Sequence, residues 1–205
     1  KFAGMCDEWF CQGSDALEKY GWGESCYKLF NDLETGEQSD IILGHQLDGE
    51  WMALFHGCEG VFPPDRVEIT LETLKRTSIA KTDSGLAVFC NPDPDNPKYD
   101  DWNFGFWGFQ CVHVPGVWMK AMIYMYRDQY QVGRDLARRP MKEIVKRGLL
   151  WDQPVHLDTA VGSRLGCDYR QNLMIWALPA AIEGRDVTGP CRSGGLVDRI
   201  IRAAK

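Results

Sequence analysis

The sequence has no C-x-x-C pair, no G-x-S-x-G, no H-E-x-x-H, no P-loop and no G-x-G-x-x-G. These absences argue against zinc ribbons, thioredoxin-type redox motifs, the α/β-hydrolase nucleophile, zinc proteases, and nucleotide or dinucleotide binding. Histidine is scarce: the four in 205 residues do not cluster along the chain, which leaves little for metal catalysis. If the chain between His45 and His56 is helical, their spacing of eleven residues puts them ~16 Å apart on one face, too far to share a metal. No metal site and no cofactor are expected. Positive charge is also short, with 23 Lys and Arg against 29 Asp and Glu and a net charge of −6. Nucleic acid would need a basic face, so it is excluded as a partner. The longest apolar run, Leu173 to Ile182, contains Pro179 and is about half of the ~20 residues that span a bilayer. No membrane span is expected. The opening residues, polar by Cys6-Asp7-Glu8, do not have the form of a secretory signal.

Cysteine is plentiful, with eight residues at 6, 11, 26, 58, 90, 111, 167 and 191. A chain of this length with ample core residues does not need a disulfide framework. The expectation is free, mostly buried thiols in a reducing compartment, the cytoplasm.

The pattern is helical. Asp15-Ala-Leu-Glu18 and Asp65-Arg-Val-Glu68 have the form of capping boxes, an acceptor followed three residues on by a carboxylate. Pro63-Pro64 sets up the second of these. In that helix Val67, Leu71 and Leu74 form one apolar stripe that runs out at Ser78. Further helices are predicted over Gln46–Cys58, Val117–Tyr130, Pro140–Arg147 with Pro140 at its first position, Tyr169–Glu183 with a break at Pro179, and Leu196–Ala204. Ser25–Phe30 reads as a strand before the turn Asn31–Gly36, and Gly85–Cys90 as a short strand or buried connection. Two long loops, Asn91–Gly108 and Gly148–Cys167, separate the later helices. The fold class is therefore all-α with long loops and a few short strands, and no βαβ alternation. Phe2, Met5, Trp9 and Phe10 already form a helical stripe with no cap ahead of Lys1, which suggests a piece of a longer helical domain.

Candidate chemistry centres on Gly44–Trp51. On a helix His45, Asp48 and Trp51 would follow at i, i+3 and i+6 on one side. A carboxylate beside an aromatic ring suits a sugar, whose hydroxyls need acceptors and whose C–H face needs a flat apolar surface. The plainer reading of Asp48 is a carboxylate in a helix's first turn. Asp168 and Gln171 open the helix at Tyr169 and fit a capping box, although a loop-to-helix junction also suits a ligand-facing group. The aspartates of the 91–108 loop do not fit a calcium loop, since Pro94 and Pro97 break its pattern. The aromatic run from Trp102 to Phe109 reads first as core and second as a stacking platform. Arg134, Arg138, Arg139, Lys142, Lys146 and Arg147 read as solvated surface.

Four stretches in order carry a family resemblance: Gln46-Leu-Asp-Gly-Glu-Trp51, Val61-Phe-Pro-Pro-Asp-Arg-Val67, Pro115-Gly-Val117 and Tyr169–Ala181. Together they resemble the C-terminal part of the catalytic domain of glycoside hydrolase family 116, which includes the non-lysosomal glucosylceramidases. The resemblance implies an (α/α)6 barrel, a helical toroid, of which residues 1–205 form the C-terminal portion. It implies a retaining β-glucosidase-like activity that needs two carboxylates ~5 Å apart, both upstream of Lys1 and so absent from this chain. The chain would supply the sugar-pocket wall through His45, Asp48, Trp51, Asp168 and Gln171, with the missing N-terminal half or a partner subunit completing the site. The sequence departs from the family at Gly44-His45-Gln46, where Ser-Asp-Gln is usual, and near Gly162 and Gln171, where a glutamate and an arginine contact the sugar. The alternative reading is a non-catalytic carbohydrate-binding or structural module on the same scaffold. Exposed apolar helix faces of a half toroid would drive homo-oligomer formation or recruit the missing part.

Overall fold

A helix that is apolar on every side must be surrounded, and this requirement organises the fold. The computed structural model describes residues 2–39, 41–92, 111–149, 154–158, 164–165 and 170–204. Within them the chain is mostly helical with two small sheets. The first helix, α1, spans Phe2–Ala16, and the second, α2, Asp48–Phe55. Next come α3 at Pro64–Arg76, α4 at Val114–Tyr126 and α5 at Tyr130–Lys146. Last are α6 at Leu178–Ile182 and α7 at Leu196–Ala203.

Every residue of α4 from Val114 to Met125 is buried. The helix packs against α2, α5, α6 and the 3₁₀ segment Arg170–Ala177 that leads into α6. After α4 the chain turns at Asp128, whose φ is 59°, and α5 returns along α4. The direction follows from the contacts. Trp118 Nε1 donates to the Ala137 carbonyl at 3.3 Å, while Gly133 lies against Ala121 and Met125. Higher numbers in one helix meet lower numbers in the other, so the pair is antiparallel. A Cβ at Gly133 would sit 2.5 Å from the Ala121 carbonyl oxygen, so glycine is what allows this close crossing. The α3 stripe predicted from Val67, Leu71 and Leu74 is fully buried, and the Tyr124 hydroxyl of α4 donates to the Leu71 carbonyl at 2.6 Å.

Short strands fasten the connections to this core. Strand β1 (Ile42–Leu43) pairs antiparallel with β2 (Phe89–Cys90). Strand β3 (Cys111–His113) pairs with β4 (His156–Asp158), which pairs with β5 (Arg164–Leu165), all antiparallel. A bridge between Ala87 and Val112 links the two groups. The buried connection expected at Gly85–Cys90 is therefore present.

Several local expectations are corrected. Asp15 caps nothing: α1 runs through it and passes into a π-helical turn over Leu17–Gly21. Asp65 is not the cap of α3 either. Pro63 is the cap, its carbonyl accepting from Val67 N–H at 3.0 Å, which leaves Asp65 in the first turn. Pro140 lies inside α5 and does not start a helix. Its ring lies on the buried face with Gly133, Leu136, Ala137 and Ile144, and packing of that face on α4 outweighs the lost N–H. Ser25–Phe30 forms no strand; isolated bridges join Trp22 to Tyr27 and Asn31 to Gln38. The helix expected over Tyr169–Glu183 is a 3₁₀ segment followed by α6, with Pro179 in the first turn of α6.

Arg139 is not solvated surface. Its guanidinium donates to the carbonyls of Ile79, Thr82 and Gly85 at 2.8, 3.0 and 3.4 Å. The thiols are not mostly buried among the described residues: Cys6, Cys11 and Cys58 are exposed, whereas Cys90 and Cys111 are buried. The aspartates from Asp93 onward and the aromatics of the long loop up to Phe109 fall outside the described residues, as does Asp168. No helix of the described residues is long and apolar enough to cross a membrane.

Candidate functional site

The segment Gly44–Leu47 forms a tight turn between β1 and α2, not part of a helix. Gly44 N–H donates to the Val88 carbonyl at 2.8 Å. A Cβ on Gly44 would fall 2.2 Å from the Ala87 carbonyl oxygen, so only glycine fits. Gln46 pins the turn from both ends of its amide: Nε2 donates to the Leu43 carbonyl at 3.0 Å, and Oε1 accepts from Tyr27 N–H at 2.9 Å. Leu47 then takes φ 69° and reverses the chain into α2. The i, i+3 relation expected between His45 and Asp48 is thereby lost, because a left-handed residue stands between them.

The two are brought together all the same, by α4. His113, Gly116 and Lys120 follow at i, i+3 and i+7 along that helix and its cap, so they share a face. The His45 ring lies over Gly116, where a Cβ would come 2.1 Å from its Nδ1. Asp48 Oδ1 lies 3.5 Å from Lys120 Nζ, and Lys120, fully buried, also donates to the Gln46 carbonyl. Asp48 keeps about 30% of its side chain exposed. Trp51, three residues further along α2, is 4% exposed and packs on Phe55 with ring centroids 5.4 Å apart. It is a core residue in the described chain and not a stacking surface beside Asp48. Gln171 falls in the 3₁₀ segment that packs along α4.

Burial dominates the electrostatics of this cluster. It raises the Asp48 carboxyl to about 6, although the Lys120 ammonium beside it pulls the other way. It lowers the Lys120 amine, with Asp48 as the main opposing influence. His45 is held well below the usual imidazole range by burial, then by His113, Lys120 and His156. Neither ring nitrogen of His45 has a hydrogen-bond partner among the described residues. The His45 and His113 rings meet edge to face at 5.0 Å, and His113 stacks on His156 at 4.7 Å. Strand register places the second pair, since His113 faces His156 across β3 and β4. His156 is lowered to about 3 by burial and by His113.

The histidines are scattered along the chain, yet three of the four stand in one row. No group of three or more His, Cys, Asp or Glu side chains among the described residues is arranged to hold a metal. Lys120 also went unnoticed, although it is the one charge in the run from Val114 to Tyr126. Glu50 is the other missed residue. It is fully buried, accepts from Val61 N–H at 2.7 Å and Phe62 N–H at 3.3 Å, and pairs with Arg127 at the end of α4. Glu50 thus ties the first turn of α2 to the chain leading to α3 and to the end of α4, while Asp48 in the same turn stays open on one side.

Comparison of the chain with protein-family models and with curated proteins finds no match in either.

Proposed function

We propose that this chain forms one wall of a helical (α/α)6 toroid, as the C-terminal part or a subunit of a retaining glycoside hydrolase acting on β-glucosides or related glycosides. The observation that carries the reading is Asp48, a half-open carboxylate anchored by a buried lysine at a helix start. Raised to about 6, it exchanges between charged acceptor and neutral donor near neutral pH, which suits hydrogen bonding to sugar hydroxyls. Further support comes from the mostly helical fold and the four family-like stretches in their expected order. In this reading His45 backs the pocket, because its nitrogens are buried, and Trp51 supports α2 from the core. The nucleophile and the acid/base belong to the part upstream of Lys1. Free thiols on the surface, Cys6, Cys11 and Cys58, accord with a reducing cytoplasm.

The test is hydrolysis of an aryl β-glucoside by the whole polypeptide from its natural source, with and without Asp48→Asn. The expected result is a loss of tenfold or more in kcat/KM with an unchanged melting temperature. Equal activity would remove Asp48 from the site. Glycoside binding without any hydrolysis would instead favour a carbohydrate-binding module.

A further inference from the structure

The three histidines that bracket the start of α4 have a chemistry that the glycosidase reading does not use. His45 is the outermost of the row, belongs to the turn Gly44–Leu47, and has no acceptor for a ring proton among the described residues. His113 caps α4 and touches the His45 ring. Lys120 lies one turn beyond Gly116 on α4 and donates to the carbonyl of Gln46, the residue after His45. His156 comes from β4 behind His113. Asp48 opens α2 three residues after His45, and its Oδ1 is paired with Lys120. Glu50, further along α2, is committed to Arg127 and the 61–62 amides. The positive end of the α4 dipole points at the same place. A proton on His45 would therefore meet a lysine, two imidazoles and a helix N-terminus, and no carboxylate is among the described groups that act on it.

We propose that the His45–His113–His156 row is a pH-sensitive latch: with neutral rings the Gly44–Leu47 turn is held on the first turn of α4, and protonation releases it together with the start of α2. Asp48 works against the release: its raised carboxyl takes up a proton more readily in the closed state, so the histidines must outweigh it. Gly116 makes the latch possible, since any side chain there would displace the His45 ring. The inference does not depend on the glycosidase reading, because its readout is structural.

The experiment is amide hydrogen exchange of the full chain between pH 7 and pH 5, with rates corrected for intrinsic pH dependence. An imidazole near 6.5 when released and neutral when latched favours opening by about thirtyfold at pH 5. Protection over residues 44–51 is expected to fall by that order, while α5 stays protected. His45→Phe, which keeps a ring but cannot titrate, is expected to flatten the response, and Gly116→Ala to open the segment already at pH 7. Unchanged wild-type protection from pH 7 to 5 would overturn the proposal, as would an undiminished response in His45→Phe. If the variants do not fold, an NMR titration of the wild-type imidazoles decides. His45 taking up its proton only as residues 44–51 lose protection supports the latch; His45 titrating near 6.5 in a protected segment sinks it.

Discussion

Helices α1 and α4 are similar in length, 15 and 13 residues, and both are rich in large apolar side chains, yet their fates are opposite. α4 is buried from Val114 to Met125, whereas α1 buries none of its residues and leaves Phe2 74% and Trp9 59% exposed. The difference lies in how the apolar residues are arranged and in what surrounds them. α4 is apolar all round and has neighbours on several sides, from α2 to α6. α1 carries a single stripe and, among the described helical segments, packs chiefly on its own continuation over Leu17–Gly21. α7 repeats the case: Leu196, Val197, Ile200 and Ile201 make one exposed aliphatic face. An amphipathic pattern lays out a face for packing, and only a neighbour makes that face part of a core.

The comparison can be broken most sharply at Trp118. Trp118→Ala removes a fully buried ring and its bond to Ala137 and is expected to cost about 3–5 kcal/mol, read as a lower urea midpoint. Glu50→Ala follows closely. It leaves Arg127 and two backbone amides without their partner, at about 3 kcal/mol by the same measurement. Gly133→Val, which drives a side chain into the Ala121 carbonyl and Met125, is expected to cost at least about 1–3 kcal/mol.

Acid sharpens the contrast further. His156, lowered to about 3, is neutral in the fold and protonated in the unfolded chain below about 6.5. Its stabilisation is therefore complete above that pH and falls by about 2 kcal/mol at pH 5. His45 acts in the same direction. Asp48 acts oppositely, since a carboxyl raised to about 6 loses stabilising effect as pH rises from its ordinary value, and so offsets part of the loss. Urea melts at pH 7 and pH 5 should show a net fall, smaller in His156→Phe. At the bottom of the scale, Trp9→Ala in α1 should shift the midpoint by no more than about 0.5 kcal/mol. A large loss there would mean that α1 is covered in solution.

Much of the helical frame was legible in the sequence, because periodicity reports which face is buried. The Val67, Leu71 and Leu74 stripe and the apolar run of α4 are the clearest cases. Pro140 misled because the rule against interior proline weighs one lost hydrogen bond and not the whole face that α5 lays on α4. The site was harder to read. Asp48 was found from its motif, but the helical face that was to join it to His45 ended at Leu47, whose positive φ no side-chain pattern announces. His113 and His156 are distant in sequence and meet only through the register of β3 and β4. Lys120 was a solitary charge in an apolar run, a signal that was there to be used.

Arg139 has a consequence for the order in which the molecule comes apart. Its three acceptors are neutral carbonyls, so this clasp needs no carboxylate and no imidazole, and its guanidinium keeps its charge at any ordinary pH. Acid that loosens the turn at His45 has nothing to titrate here. The loop from Ile79 to Gly85 should stay tied to α5 after the neighbouring turn has let go, so that mild acid yields a partly undone molecule with its largest helical hairpin still fastened.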